Sequence, residues 1–160
     1  MEFLSDVQRT CYGRVRELMH EIFGQFVMEF ADEPVFRLRA DSAIVHTAVL
    51  PHNNELAVIT TWAYVVSGAE ISSELMAYLL SENAELNFGA FALDSDGDIL
   101  LKHTILANTV DPDELKASVL GVALTADRYD DRIITHYGGR TGLETMKAQV
   151  EEIKRVISEG

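Results

Sequence analysis

Carboxylates are the residues of this chain whose spacing most invites chemistry. Asp94, Asp96 and Asp98 alternate in the run Asp94-Ser95-Asp96-Gly97-Asp98. Alternating Asp around a Gly is how calcium loops begin, because a hard divalent cation gathers oxygen ligands from a tightly turned backbone. An EF-hand loop also needs Gly at its sixth position and a bidentate Glu at its twelfth. Counted from Asp94, those positions hold Ile99 and Ile105. Asp96-Gly97 is itself a hairpin signal, so the run reads first as a turn, with its three carboxylates as metal candidates second. A further cluster is Asp127, Asp130 and Asp131. Asp127 and Asp131 are four apart, which makes them neighbours on a helix surface, where paired carboxylates can hold Mg²⁺ or raise each other's pKa. Arg128 and Arg132 interleave with them, and that pattern reads as a solvated face with local ion pairs.

Other chemistry is sparse. The histidines, His20, His46, His52, His103 and His136, show no HxH, HExxH or Cys-His spacing. Cys11 lies on an apolar helical stripe, where a buried thiol is the default. Gly138-Gly139-Arg140-Thr141-Gly142 lacks the Lys and the preceding strand of a phosphate loop, and reads as a helix stop. No Ser-His-Asp pattern is present and nothing asks for a cofactor, so an enzyme is not expected. Trp62 and Tyr64 alternate on one strand face with Val58 and Thr60; they read as core or as an aromatic strip at a partner interface. Together with Tyr129 on a later helix, they are the candidates for a dimer or partner surface.

Charge narrows the partners. The chain carries 13 basic and 26 acidic residues, a formal charge of −13. Such a field repels phosphate backbones and anionic lipid, so nucleic acid and membrane are not expected, whereas a basic or amphipathic polypeptide is attracted. With one cysteine no intramolecular disulfide can form. Residues 1–6 lack the basic and apolar regions of a signal peptide, and no apolar run approaches the roughly 18 residues of a membrane span. A cytoplasmic location is expected. At 160 residues the chain fits one domain, 1–160, with residues 139–160 readable as a helical extension.

The elements that must position these groups follow from periodicity. Leu4, Val7, Cys11, Val15, Leu18 and Ile22 form one helical stripe, closed by Gly24. Residues 35–40, 43–50 and 55–66 switch to period two and are rich in β-branched and aromatic residues. The third is apolar on both faces and is expected at the centre of a sheet. Residues 70–86 read as a helix with Ile71, Leu75, Tyr78 and Leu79 inward, capped by Ser67 or Ser72. Residues 89–107 are a hairpin turning at Asp96-Gly97. Asp111-Pro112-Asp113-Glu114 starts a long helix with Leu115, Val119, Val122, Ala126, Tyr129, Ile133 and Tyr137 on one stripe. A last helix carries Leu143, Met146, Val150, Ile153 and Ile157. The order is α-β-β-β-α-β-β-α-α. Strands joined by hairpins, with helices segregated, predict an α+β fold whose antiparallel sheet is covered on one face.

This order and the residues of its second half resemble the YbjN family of small bacterial proteins. The resemblance is carried by Gly89-Ala90-Phe91-Ala92-Leu93-Asp94, Asp96-Gly97, the strand Asp98 to Lys102, Asp111-Pro112-Asp113-Glu114-Leu115 and Ala126-Asp127-Arg128-Tyr129-Asp130-Asp131. That family is similar in fold to type III secretion chaperones. The resemblance implies a non-enzymatic protein-binding or regulatory module, homodimeric, holding a partner segment against its sheet. The alternative is a divalent-metal or small-ligand sensor using the acidic clusters.

Overall fold

The computed structural model describes residues 2–159. Its elements run α1 (Asp6–Phe23), a 3-10 turn (Gly24–Phe26), β1 (Met28–Phe30), β2 (Glu33–Ala40), β3 (Ala43–Pro51), β4 (Ala57–Ser67), α2 (Ser73–Asn83), β5 (Ala90–Leu93), β6 (Ile99–Leu106), α3 (Pro112–Tyr137), β7 (Arg140–Thr141) and α4 (Gly142–Glu159). The sequence reading lacks only β1 and β7. They are three and two residues long, too short to show any period. The strands lie in the order β1-β2-β3-β4-β6-β5, with β7 paired to the end of β4, and every pairing is antiparallel. β4 is central, as its two apolar faces require.

Alternation along the strands separates two faces. Val45, Thr47, Val49, Ile59, Thr61, Ala63 and Leu101 point to one side and are fully or almost fully buried. On that side α1 and α3 pack, and α2 fills in beside α3 with Leu75 and Leu79 in the same core. α3 begins as expected: Asp111 accepts from the Glu114 amide at 2.8 Å, with Pro112 at the first helical position. Its stripe from Leu115 to Ile133 is buried throughout. In α1, Ser5 accepts from the Gln8 amide at 3.1 Å and so starts the helix after Leu4. Leu4 therefore leaves the expected stripe and is exposed, while Gln8, Tyr12 and Met19 join it. Ser72, not Ser67, caps α2 at 3.1 Å, and Ile71 precedes the helix and stays exposed.

The expectation that all helices share one face fails at α4. Its first turns pack on the opposite face, where Ile44, His46 and Tyr64 lie across from Gly142, Thr145 and Met146. The reason is written in Gly138-Gly139-Arg140-Thr141-Gly142, which does more than stop α3. A Cβ at Gly139 would fall 2.5 Å from Val66 Cγ1, and one at Gly142 would fall 2.7 Å from the Tyr64 carbonyl oxygen. Bare backbone thus lets this segment lie directly on β4 and form β7. Gly139 also has φ +97°, which L side chains avoid. α4 then opens on a reciprocal capping box. Thr141 Oγ1 accepts from the Glu144 amide at 3.2 Å, and Glu144 accepts from the Thr141 amide at 2.9 Å. The Leu143 amide donates to the Ser42 carbonyl at 3.0 Å, tying the helix start to the β2–β3 turn.

Candidate functional site

The second face of the sheet is where side chains are available. Strand register places Arg37, His46, Trp62, Lys102 and Ala90 in one row across five strands. His46 stacks on Trp62 with ring centroids 5.0 Å apart and planes within 13°. Arg37 Nε donates to His46 Nδ1 at 3.2 Å, and the guanidinium lies 4.1 Å from the Phe30 ring centroid. Burial, with the nearby Arg37 charge adding to it, pushes the His46 pKa down to about 4. The imidazole is therefore neutral at pH 7, and since Nδ1 accepts, its proton sits on Nε2. Further along the same face, Thr60 and Thr104 hydroxyls meet at 3.2 Å, and then Leu50, Val58 and Leu106 form an apolar row. Leu50 and Leu106 are 40% and 47% exposed. Among the described residues, no helix covers this end. Trp62 is half-buried with one side on His46, and belongs to the open face rather than to the core.

At the other end of this face, the start of α4, the strands β3 and β4 and the β5–β6 hairpin tip enclose a cavity of about 330 Å³. The tip is the expected turn. The Asp94 amide donates to the Asp98 carbonyl at 3.1 Å, Gly97 has φ +84°, and Asp94 Oδ1 accepts from the Asp96 and Asp98 amides at 2.9 and 3.0 Å. Asp98 Oδ1 accepts from the Gly68 amide at 3.0 Å. All three carboxylates still line the cavity, and so does Tyr64. Burial first, and then the charges of Asp94, Asp98 and Asp96, raise the Tyr64 phenol above its ordinary range. The turn reading of this run was right, yet it is also a wall.

The second acidic run is used differently. Asp127 Oδ1 accepts from the Ser42 hydroxyl at 2.6 Å and from its amide at 3.3 Å. Asp130, expected on a solvated face, is 4% exposed and also reaches the Ser42 hydroxyl. The two carboxyls thus share the one Ser42 hydroxyl. Burial pushes the Asp130 carboxyl up, against the lowering pull of Ser42 and the Asp131 amide. Asp131 is exposed, as the spacing implied. Helical periodicity could have flagged Asp130: it sits one residue from Tyr129 and three from Ile133, inside the buried stripe.

Tyr129 lies in the core at 6% exposure, edge-on to Phe91 at 5.1 Å and hydrogen-bonded to Glu82, so it offers little area to a partner. The Glu82 bond, helped by burial, pushes its pKa up to about 12. Burial raises the Cys11 thiol, with Arg14 opposing, which suits a packed residue rather than a nucleophile. His103 faces the α3 layer, 2.9 Å from the Ser118 hydroxyl, and His46 faces the opposite way. The two do not meet. Among the described residues, no group of three or more His, Cys, Asp or Glu is arranged to hold a metal ion, and no helix is long and apolar enough to cross a membrane.

Comparison with known proteins adds family to geometry. Residues 11–145 match the TY-Chap1 family, described as T3SS (YopN, CesT) and YbjN peptide-binding chaperone 1. A chain from the solved structure titled "Crystal Structure of the ExsC-ExsE Complex" superposes with a TM-score of 0.60 at 19% identity, covering 76% of this chain and 95% of that one. At that identity the likeness is one of fold. No curated protein matches the chain.

Proposed function

We propose that this chain, which belongs to the T3SS (YopN, CesT) and YbjN peptide-binding chaperone family, holds an extended segment of a partner protein on the open face of its sheet. The observation that carries this reading is the uncovered row Leu50, Val58 and Leu106 running on to Trp62 and Lys102. A solvent-facing stretch of leucine, valine and tryptophan on a central sheet is unusual for a chain that must remain soluble, and marks an interaction surface. Trp62 is the anchor, because its rotamer is already fixed by His46 and little entropy is left to lose on binding. The formal charge of −13 favours basic or amphipathic segments and sets the encounter rate. Binding, not catalysis, is the activity. The working form is a cytoplasmic homodimer. Val150, Ile153 and Ile157 on α4 are 42%, 58% and 74% exposed at helical spacing, a stripe that a second copy can cover.

Selection of a random-peptide library on the purified chain, followed by titration calorimetry of the enriched peptides, tests the reading. Enriched peptides are expected to bind Trp62→Ala about tenfold more weakly. Failure to enrich any sequence, or equal affinity for Trp62→Ala, would overturn it. Light scattering of wild type and Ile153→Glu reads the dimer separately.

A further inference from the structure

The charges on the open face do not follow the charge of the chain. From β2 across to β5, the strand positions that point to this face carry four charged side chains, Glu33, Arg37, Arg39 and Lys102. Glu33 and Arg37 pair with each other at 3.0 Å. Arg39 and Lys102 are exposed and form no ion pair among the described residues. In a chain of 26 acidic and 13 basic residues, the unpaired charge on this face is thus positive. Arg39 lies out by the β2–β3 turn, its Nε donating to the Asp41 carbonyl at 3.5 Å. Lys102 lies in the middle of the face, directly across from Trp62.

Two ranges of electrostatics must be kept apart. The charge of −13 acts on an approaching segment as a whole. In contact, exposed charges farther apart than about 8 Å are largely screened at physiological ionic strength, so the nearest side chain decides. Beside Trp62 that side chain is Lys102. The carboxylates of Asp94, Asp96 and Asp98 lie one row further on, where their charges bear on Tyr64. An acidic side chain is therefore favoured at Lys102 and opposed beyond Tyr64, which gives the face a direction.

Register turns that direction into a spacing. Along β4 and β6 the outward pairs are Val58 with Leu106, Thr60 with Thr104, and Trp62 with Lys102. Successive pairs are two residues apart, about 6.6 Å, the same interval at which an extended segment turns side chains to one side. We infer that the open face selects a segment with an acidic side chain four residues from an apolar one. The acid meets Lys102 beside Trp62, the apolar side chain meets Val58 and Leu106, and a small or hydroxyl residue between them crosses the threonine pair. The inference rests on the peptide-binding reading above and deepens it, because the overall charge alone would favour a basic segment.

The test selects a random-peptide library on three forms of the whole chain: wild type, Lys102→Glu and Lys116→Glu. Lys116 is exposed on α3, in the helix layer, so its reversal changes the total charge equally and leaves the face alone. Wild type and Lys116→Glu are expected to enrich Asp or Glu four residues from Leu, Ile or Val. Lys102→Glu is expected to exchange that acid for Lys or Arg. Trp62 is the single tryptophan of the chain, so its fluorescence reads binding at this row. Replacing the acid of a selected peptide by its amide is expected to weaken binding about fivefold in wild type and not at all in Lys102→Gln. Basic residues enriched on wild type, or no charge preference there, would overturn the inference and leave the peptide-binding reading standing. So would a preference that Lys102→Glu leaves unchanged or that Lys116→Glu also reverses. Enrichment of no sequence on any form would overturn both.

Discussion

The two acidic runs look alike in sequence and end in opposite situations. Asp127 and Asp130 turn inward and close on Ser42, linking α3 to the β2–β3 turn. Asp94, Asp96 and Asp98 stand at a hairpin tip and line a cavity. Asp130, with both carboxyl oxygens engaged inside the chain, ties α3 to a distant turn; the Asp94 and Asp98 bonds shape their own hairpin tip and anchor it to Gly68. Count of acidic residues says nothing about which is which. Hydrogen-bond accounting does.

The contrast can be broken from several sides, and the largest effect is expected at Gly139, where the chain lies on β4 between α3 and α4. Gly139→Ala places a Cβ against Val66 and the Ser67 carbonyl at a left-handed φ. It should cost about 3 kcal/mol. Melting followed by calorimetry should fall by about 6–12 °C. The α4 wall of the cavity should loosen while Asp127 and Ser42 stay paired.

His46 sets the next effect. Its folded pKa of about 4 lies below its ordinary value of 6.5. The unfolded chain therefore takes up a proton first as pH falls, so this contribution to stability is full above pH 6.5 and is lost between 6.5 and 4. The full shift corresponds to roughly 3 kcal/mol at most. His46→Phe keeps the stack on Trp62 and removes the titration. Urea melts at pH 7 and pH 4 should show a smaller acid loss than in wild type.

Ser42→Ala should come third, at about 2 kcal/mol, because it leaves two half-buried to buried carboxyls without their shared hydroxyl. Asp130 works on the pH axis in the opposite sense to His46. A raised carboxyl stabilises below its unfolded pKa, and that gain is lost as pH rises through the folded value. The smallest stability effect belongs to Asp96→Asn, within about 0.5 kcal/mol by chemical denaturation, since the side chain holds nothing in place. If Asp96→Asn destabilised the fold as much as Ser42→Ala, the division between the two runs would collapse.

Much of this was legible in the sequence. The long stripe of α3, its Asp111 cap, the Asp96-Gly97 turn and the central position of β4 all follow from local chemistry acting over many residues. What was not legible depends on distant contacts. Ser42 and Asp130 are far apart in the chain, so nothing local shows that their side chains meet. Gly139 and Gly142 read as a helix stop because the strand they press on, β4, lies about seventy residues earlier. Thr141 and Glu144 did carry a readable capping box, and it locates the start of α4 to the residue. The cavity itself exists only where α4, β4 and the hairpin tip converge.

The central claim is that a partner segment lies on the open sheet face. Methyl NMR of the chain with a library-selected peptide tests it most directly. The account predicts shifts at Leu50, Val58 and Leu106, with Leu115, Val119 and Val122 of the α3 layer unmoved. Shifts confined to the α3 layer or to Val150 and Ile153 of α4, with the open-face methyls still, would contradict it.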